Sequence, residues 1–163
     1  MNEIYSRRSI RKYLDKPIEQ EKLTAILRAA MAAPSACNQQ PWEFYIVTDK
    51  AMIEELSKVT RYTGCAKDAP VVIVPAYREE VIVPMYAQID MSICTQNLWL
   101  ECENQGLGGV WMGIAPIEDR MQEVERIVGI PKGLRAFALF PVGYPAEEGR
   151  KRDDFDESRI HYI

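Results

Sequence analysis

The chain has 163 residues, a net charge of -4, 47% hydrophobic and 27% charged residues, which is one domain's worth of chain, long enough for a substantial core, and of a composition that argues against a mainly disordered chain. The acidic balance argues against a general nucleic-acid or membrane-surface binder. No apolar run approaches the roughly 18 residues that a membrane span needs.

Met1-Asn2-Glu3-Ile4 begins acidic and lacks the apolar core of a signal peptide. Cys37, Cys65, Cys94 and Cys102 are widely spaced, without a CxxC pair, and His161 is the single histidine. A zinc site or a Cys-His or Ser-His-Asp engine is therefore poorly supplied. Reduced thiols in a cytoplasmic protein fit this pattern best.

In chain order, Arg7-Arg8-Ser9-Ile10-Arg11-Lys12 comes first: four cations and a hydroxyl within six residues. Guanidinium matches phosphate oxygens in a fixed fork, so such a cluster suits a phosphate, although a solvated basic turn would read the same. Ile18, Leu23, Ile26, Leu27, Ala30 and Met31 follow helical spacing and predict a helix from Pro17 to about Ala33, stopped by Pro34. Then comes Ala33-Pro34-Ser35-Ala36-Cys37-Asn38-Gln39-Gln40-Pro41-Trp42, a loop with a proline near each end and three adjacent carboxamides. Each carboxamide offers a donor and an acceptor without charge.

Trp42–Val47 predicts a strand and Lys50–Val59 an amphipathic helix, with a loop over 60–68. The run 70–76 is continuously apolar, as expected of a strand covered on both faces. From Pro84 to Asn104 the pattern predicts the longest helix, apolar nearly all round, which belongs in a core or at a subunit interface. Asp90 and Gln96-Asn97 are its polar exceptions, suited either to capping or to contacting neighbouring backbone. Gly106-Leu107-Gly108-Gly109 follows the helix and runs into a strand, the wrong order for a dinucleotide fingerprint. A charged helix over 116–128 and a strand over 134–142 complete the pattern. The polar tail holds a second basic cluster, Arg150-Lys151-Arg152.

Taken together and in this order, the basic start, the carboxamide loop, the glycines before Trp111-Met112-Gly113, Gly143-Tyr144-Pro145 and the basic tail resemble the FMN-dependent nitroreductase family over essentially the whole chain. The resemblance is to a short, compact branch without a lid insertion. It implies an α+β fold of residues 1–163 as a single domain, a mixed central sheet flanked by helices, built as an intertwined homodimer with FMN at the subunit interface. It also implies transfer of a hydride from NADH or NADPH through flavin N5 to a small acceptor such as a nitroaromatic or quinone, in ping-pong fashion, with no catalytic side chain. An FMN-binding carrier or sensor without nicotinamide turnover is the alternative.

Residue by residue, the resemblance assigns Arg7, Arg8, Ser9 and Arg11 to the flavin phosphate, with Arg150 and Arg152 closing on it from the tail. Pro34, Ser35, Ala36, Asn38 and Gln40 would reach the flavin of the other subunit, and Gly108 and Gly109 would admit the isoalloxazine ring. The 84–104 helix would form the main dimer contact. Cys37 would lie near the pocket and is expected to pack as a small hydrophobe. Asp153-Asp154 places acid beside the tail arginines, a departure from the family pattern.

Overall fold

A computed structural model describes residues 3–149 and 154–163; the expected roles of Arg150 and Arg152 fall outside the described residues. The chain forms α1 (Glu3–Ser6), α2 (Gln20–Met31), β1 (Trp42–Val47), α3 (Lys50–Leu56), β2 (Val71–Arg78), α4 (Ala87–Asn104), β3 (Gly108–Gly109), β4 (Met112–Gly113), α5 (Glu118–Val128), β5 (Leu134–Ala136) and β6 (Ala138–Gly143). Short 3₁₀ turns occur at Ala36–Asn38, Gly64–Asp68, Pro84–Tyr86 and Glu157–Arg159.

Among the described residues the strand ladders are antiparallel, in the order β1-β2-β6-β3, with β5 also on β2 and β4 also on β6. A parallel bridge between Ser9 and Gly109 gives the sheet its mixed character. The predicted strand over 134–142 is broken at Phe137. Ile73 pairs with Phe140 and Ala76 with Ala136, so three steps on β2 face four on its partner. That extra residue is a β-bulge. It lies opposite Pro75, which has no N–H to contribute to a ladder, while the Pro75 carbonyl still accepts from Phe137 N at 2.9 Å.

Val71–Tyr77 is buried throughout, as the apolar run requires of a strand covered on both faces. α4 packs on β2 and β3 and carries α1 and α2 against it; α3 packs on α5, and α5 on β5. Met91, Cys94, Leu98 and Cys102 point one face of α4 into the core. Met85, Tyr86, Ile89 and Ile93 stay exposed on the turn before it and along its outer face, Met85 at 81% and Ile89 at 54%. The all-round apolarity read from the sequence thus divides into a core face and an uncovered one.

Element ends moved where tertiary contacts intervene. α2 begins at Gln20 rather than Pro17, because the preceding segment is drawn to the end of β6: Leu14 N donates to Tyr144 O at 2.9 Å and Tyr144 Oη to Glu19 Oε2 at 2.6 Å. α3 is capped by the Asp49 carboxylate, which accepts from Met52 N at 2.8 Å. It stops at Leu56 instead of Val59. The loop expected over 60–68 contains the turn Gly64–Asp68, held by Thr63, whose hydroxyl accepts from Thr60 N at 3.0 Å and stands 3.0 Å from Ser57 O. α5 ends at Gly129 with φ +74, the left-handed terminator for which glycine is suited.

Candidate functional site

The basic start of the chain is stitched to the sheet before it reaches any ligand. Ile10 N donates to Gly109 O at 3.0 Å, and Ala146 N donates to Lys12 O at 2.9 Å. Tyr13 Oη donates to Ile10 O at 2.7 Å and stands 3.2 Å from Pro141 O; burial pushes its pKa well above the usual phenol range, so it remains a donor at neutral pH. The segment is thereby fixed between β3 and the end of β6.

This backbone distributes the four expected phosphate residues unequally. Arg7 stacks its guanidinium on the Trp99 ring at 3.9 Å, and Trp99 meets Phe140 edge to face at 5.8 Å. Arg8 Nη1 donates to Tyr5 O and Arg7 O at 2.6 and 2.7 Å, while its Nε is buried without an acceptor among the described residues. Ser9 lies in the bridge to Gly109. Arg11 is exposed, its own N–H donating to Glu147 Oε1 at 2.6 Å.

Among the cavities that open beside the segment, two are lined by its arginines. One, of about 320 Å³, lies between Arg8, Ile10 and the chain at Pro145 and Glu147–Gly149. The other, of about 360 Å³, is lined by Arg11, Thr60, Tyr62, Trp111, Gly113 and Arg120, among others. Two guanidiniums, two aromatic rings and open backbone at Gly113 make the second suited to a flat, anionic molecule. Thr60, Tyr62 and Arg120 are lining residues that the sequence did not suggest, because they come from a loop and a charged helix with no motif of their own.

Gly108 and Gly109 are buried, and internal packing demands both. A Cβ on Gly108 would stand 2.6 Å from Ile10 Cγ1, and one on Gly109 would stand 2.5 Å from Phe140 Cε1 and 2.8 Å from Pro141 O. Gly108 lets the Arg7–Arg11 segment lie against the sheet at Ile10, and Gly109 leaves space for the Phe140 ring.

The carboxamide loop is built differently, from strained backbone. Cys37, Asn38 and Gln40 have φ of +50, +51 and +45, left-handed conformations that cost an L residue roughly 1–2 kcal/mol each. Such strain persists only where surroundings hold it, and it concentrates at functional sites. Of the three carboxamides Gln39 alone points inward, only 8% exposed, and Asp90 of α4 is only 3% exposed. Gln39 Nε2 donates to Asp90 Oδ2 at 2.6 Å and to Val83 O at 3.2 Å, while its Oε1 accepts from Val83 N at 2.8 Å. Asp90 Oδ1 accepts from Ala36 N at 3.0 Å, and Ser35 Oγ accepts from Gln40 N at 3.0 Å. On the outer side Arg78 donates to Gln40 O and, at 2.8 Å, to Glu43 Oε1.

Asn38, Gln40 and Pro34 consequently face outward, with Ser35 and Ala36 half-buried. Cys37 is exposed in the single chain, in a left-handed backbone conformation. Asp90 meets neighbouring backbone, and so does Asn97, whose Nδ2 donates to Ala29 O at 3.2 Å. Gln39 had no sequence signal to separate it from Gln40. The loop lines neither of the two cavities above.

The fold and these motifs match known proteins. The nitroreductase family profile matches residues 4–63 and 57–144, so the chain belongs to that family. A relative from Methanothermobacter thermautotrophicus, provisionally named NADH dehydrogenase/NAD(P)H nitroreductase, is 42% identical over 159 residues, 97% of this chain and 83% of its own. A solved structure of the same provisional name from Bacteroides thetaiotaomicron superposes with a TM-score of 0.94 at 35% identity, covering 99% of this chain and 95% of that one. A provisionally named nitroreductase from Desulfovibrio desulfuricans, solved in complex with FMN, superposes with a TM-score of 0.85 at 26% identity, covering 99% and 95%.

Proposed function

We propose that this protein is an FMN-dependent oxidoreductase that uses NADH or NADPH to reduce a small acceptor such as a nitroaromatic or a quinone. The observation that carries the reading is the basic segment fixed on β3 within a chain of the nitroreductase family. The residues fit the cofactor. Arg8 Nε is a buried donor without an acceptor among the described residues, and Arg11 enters a cavity walled by Tyr62 and Trp111.

Arg7, Arg8, Ser9 and Arg11 would hold the phosphate, with Arg150 and Arg152 joining from the tail, and Gly108 and Gly109 would set the sheet edge close to the ring. Pro34, Ser35, Ala36, Asn38 and Gln40 would complete the site from a second copy of the chain. The exposed Met85, Tyr86, Ile89 and Ile93 supply an apolar face for that homodimer. Bound there, FMN would supply the two-electron chemistry, taking a hydride from the nicotinamide and giving it to the acceptor. The protein itself binds, orients and keeps water off the reacting face. Donor and acceptor would occupy that face in turn, giving ping-pong turnover. A cytoplasmic location suits the four free cysteines.

The test is a visible spectrum of the FMN-reconstituted protein, followed by anaerobic NADH and then NADPH. Flavin bands that bleach with either nucleotide, and return on adding a nitroaromatic or quinone, are the expected result. Bound flavin that stays oxidised would make the protein a carrier or sensor, and failure to bind flavin would overturn the reading.

A further inference from the structure

We infer that Asp90 is a positioning residue that locks the carboxamide loop in its left-handed shape through Gln39 and thereby presents Asn38 and Gln40 to the cofactor; this rests on the flavin reading above. Asp90 uses both carboxylate oxygens on the loop: Oδ1 on Ala36 N–H at 3.0 Å and Oδ2 on Gln39 Nε2–H at 2.6 Å. Gln39 in turn grips both backbone groups of Val83, at 2.8 and 3.2 Å. Four hydrogen bonds thus tie the loop to α4 and to the turn that leads into it, all with a buried side chain as donor or acceptor.

The left-handed residues Cys37, Asn38 and Gln40 flank this single inward side chain. An inward Gln39 between outward Asn38 and Gln40 is the arrangement those φ values produce. The anchor acts with Ser35 Oγ on Gln40 N–H and Arg78 on Gln40 O to hold the three residues in a conformation that L side chains disfavour, and it is the part of that hold that comes from α4. Asp90 also lies on the helix that carries Trp99, on which Arg7 stacks. Nine residues separate the two, roughly 13 Å along the axis, so one rigid element registers both the loop and the basic segment.

The donor and acceptor pattern makes the inference testable by exchange of charge. In Asp90→Asn, one amide N–H must face either Ala36 N–H or the Gln39 amino group, donor against donor. In Gln39→Glu, two carboxylates face each other and Val83 O loses its donor. The double variant moves the carboxylate across the pair. The amide now at position 90 can accept from Ala36 N and donate to the carboxylate now at position 39. That carboxylate still accepts from Val83 N, so three of the four bonds return.

The experiment measures amide hydrogen exchange in the FMN-free full chain and FMN affinity by flavin fluorescence titration. Asp90→Asn is expected to speed exchange at Asn38, Gln39 and Gln40 by tenfold or more, leaving Leu98 in the same helix unchanged. It is also expected to weaken FMN at least tenfold, and the double variant to recover both readouts to within about threefold. If Asp90→Asn fails to fold, Gln39→Met removes the same grip at similar volume and is expected to give the same two effects. Wild-type exchange and FMN affinity in the single variants, or a double variant no better than the worse single, would overturn the inference. A wild-type chain that binds no FMN would sink the flavin reading alone, and the exchange data would still decide whether Asp90 holds the loop.

Discussion

Individual residues show where a sequence hint and its physical cause part company. Gly108 and Gly109 suggested room for a ligand, and the structure adds a packing demand from Ile10 and Phe140. Gly109→Ala would force its Cβ to within 2.5 Å of a buried ring edge and 2.8 Å of a backbone oxygen. Overpacking of this kind costs roughly 1–3 kcal/mol, to be read as a lower urea midpoint. The cysteines divide likewise. Burial pushes the Cys94 thiol up to about 12 and raises Cys102 as well, whereas Cys37 is exposed. Iodoacetamide at pH 8 is therefore expected to leave Cys94 and Cys102 unmodified in the native protein, as peptide mapping would show. Because both thiols stay protonated in the folded state, the unfolded chain binds fewer protons above roughly pH 8.5, and stability falls as the pH rises from there. Denaturation midpoints at pH 8 and pH 10 check the sign.

Among the elements, periodicity located every long helix and strand, and the misplacements have tertiary causes. The Pro17 start lost to the pull of Tyr144 on Glu19, a contact between positions 125 residues apart. The bulge at Phe137 reflects Pro75 in a neighbouring strand, which a reading of 134–142 alone cannot include. Asp49, by contrast, acts locally, as the cap of α3 directly before its first residue. Asp49→Ala is expected to cost about 1 kcal/mol of stability, measured by urea unfolding, with FMN affinity unchanged. α4 gives the clearest case. Its lone buried acid, Asp90, stood out on an apolar helix, yet only the fold joins it to Gln39, 51 positions earlier.

The whole molecule poses the question of the second copy. The loop of Asn38 and Gln40 does not line the cavity of Arg11, and α4 leaves Ile89 and Ile93 exposed beside Met85 and Tyr86. Ile89→Asp puts a charge on that face without touching the core. It is expected to convert the proposed dimer to monomer in sedimentation velocity and to weaken FMN at least tenfold. A variant that stays dimeric with full flavin affinity would remove α4 from the interface.

The order and type of the long elements, the expectation of reduced cysteines, and the basic and carboxamide motifs with their family likeness were all present in the sequence. Each depends on local pattern, such as helical or alternating spacing, a proline, or a run of like side chains. The tertiary structure decided that Arg7 rests on Trp99, that Gln39 turns inward while its neighbours turn out, and that Asp90 accepts from the loop. Those outcomes depend on pairings between distant segments and on backbone angles that buried partners sustain, and one-dimensional spacing carries neither.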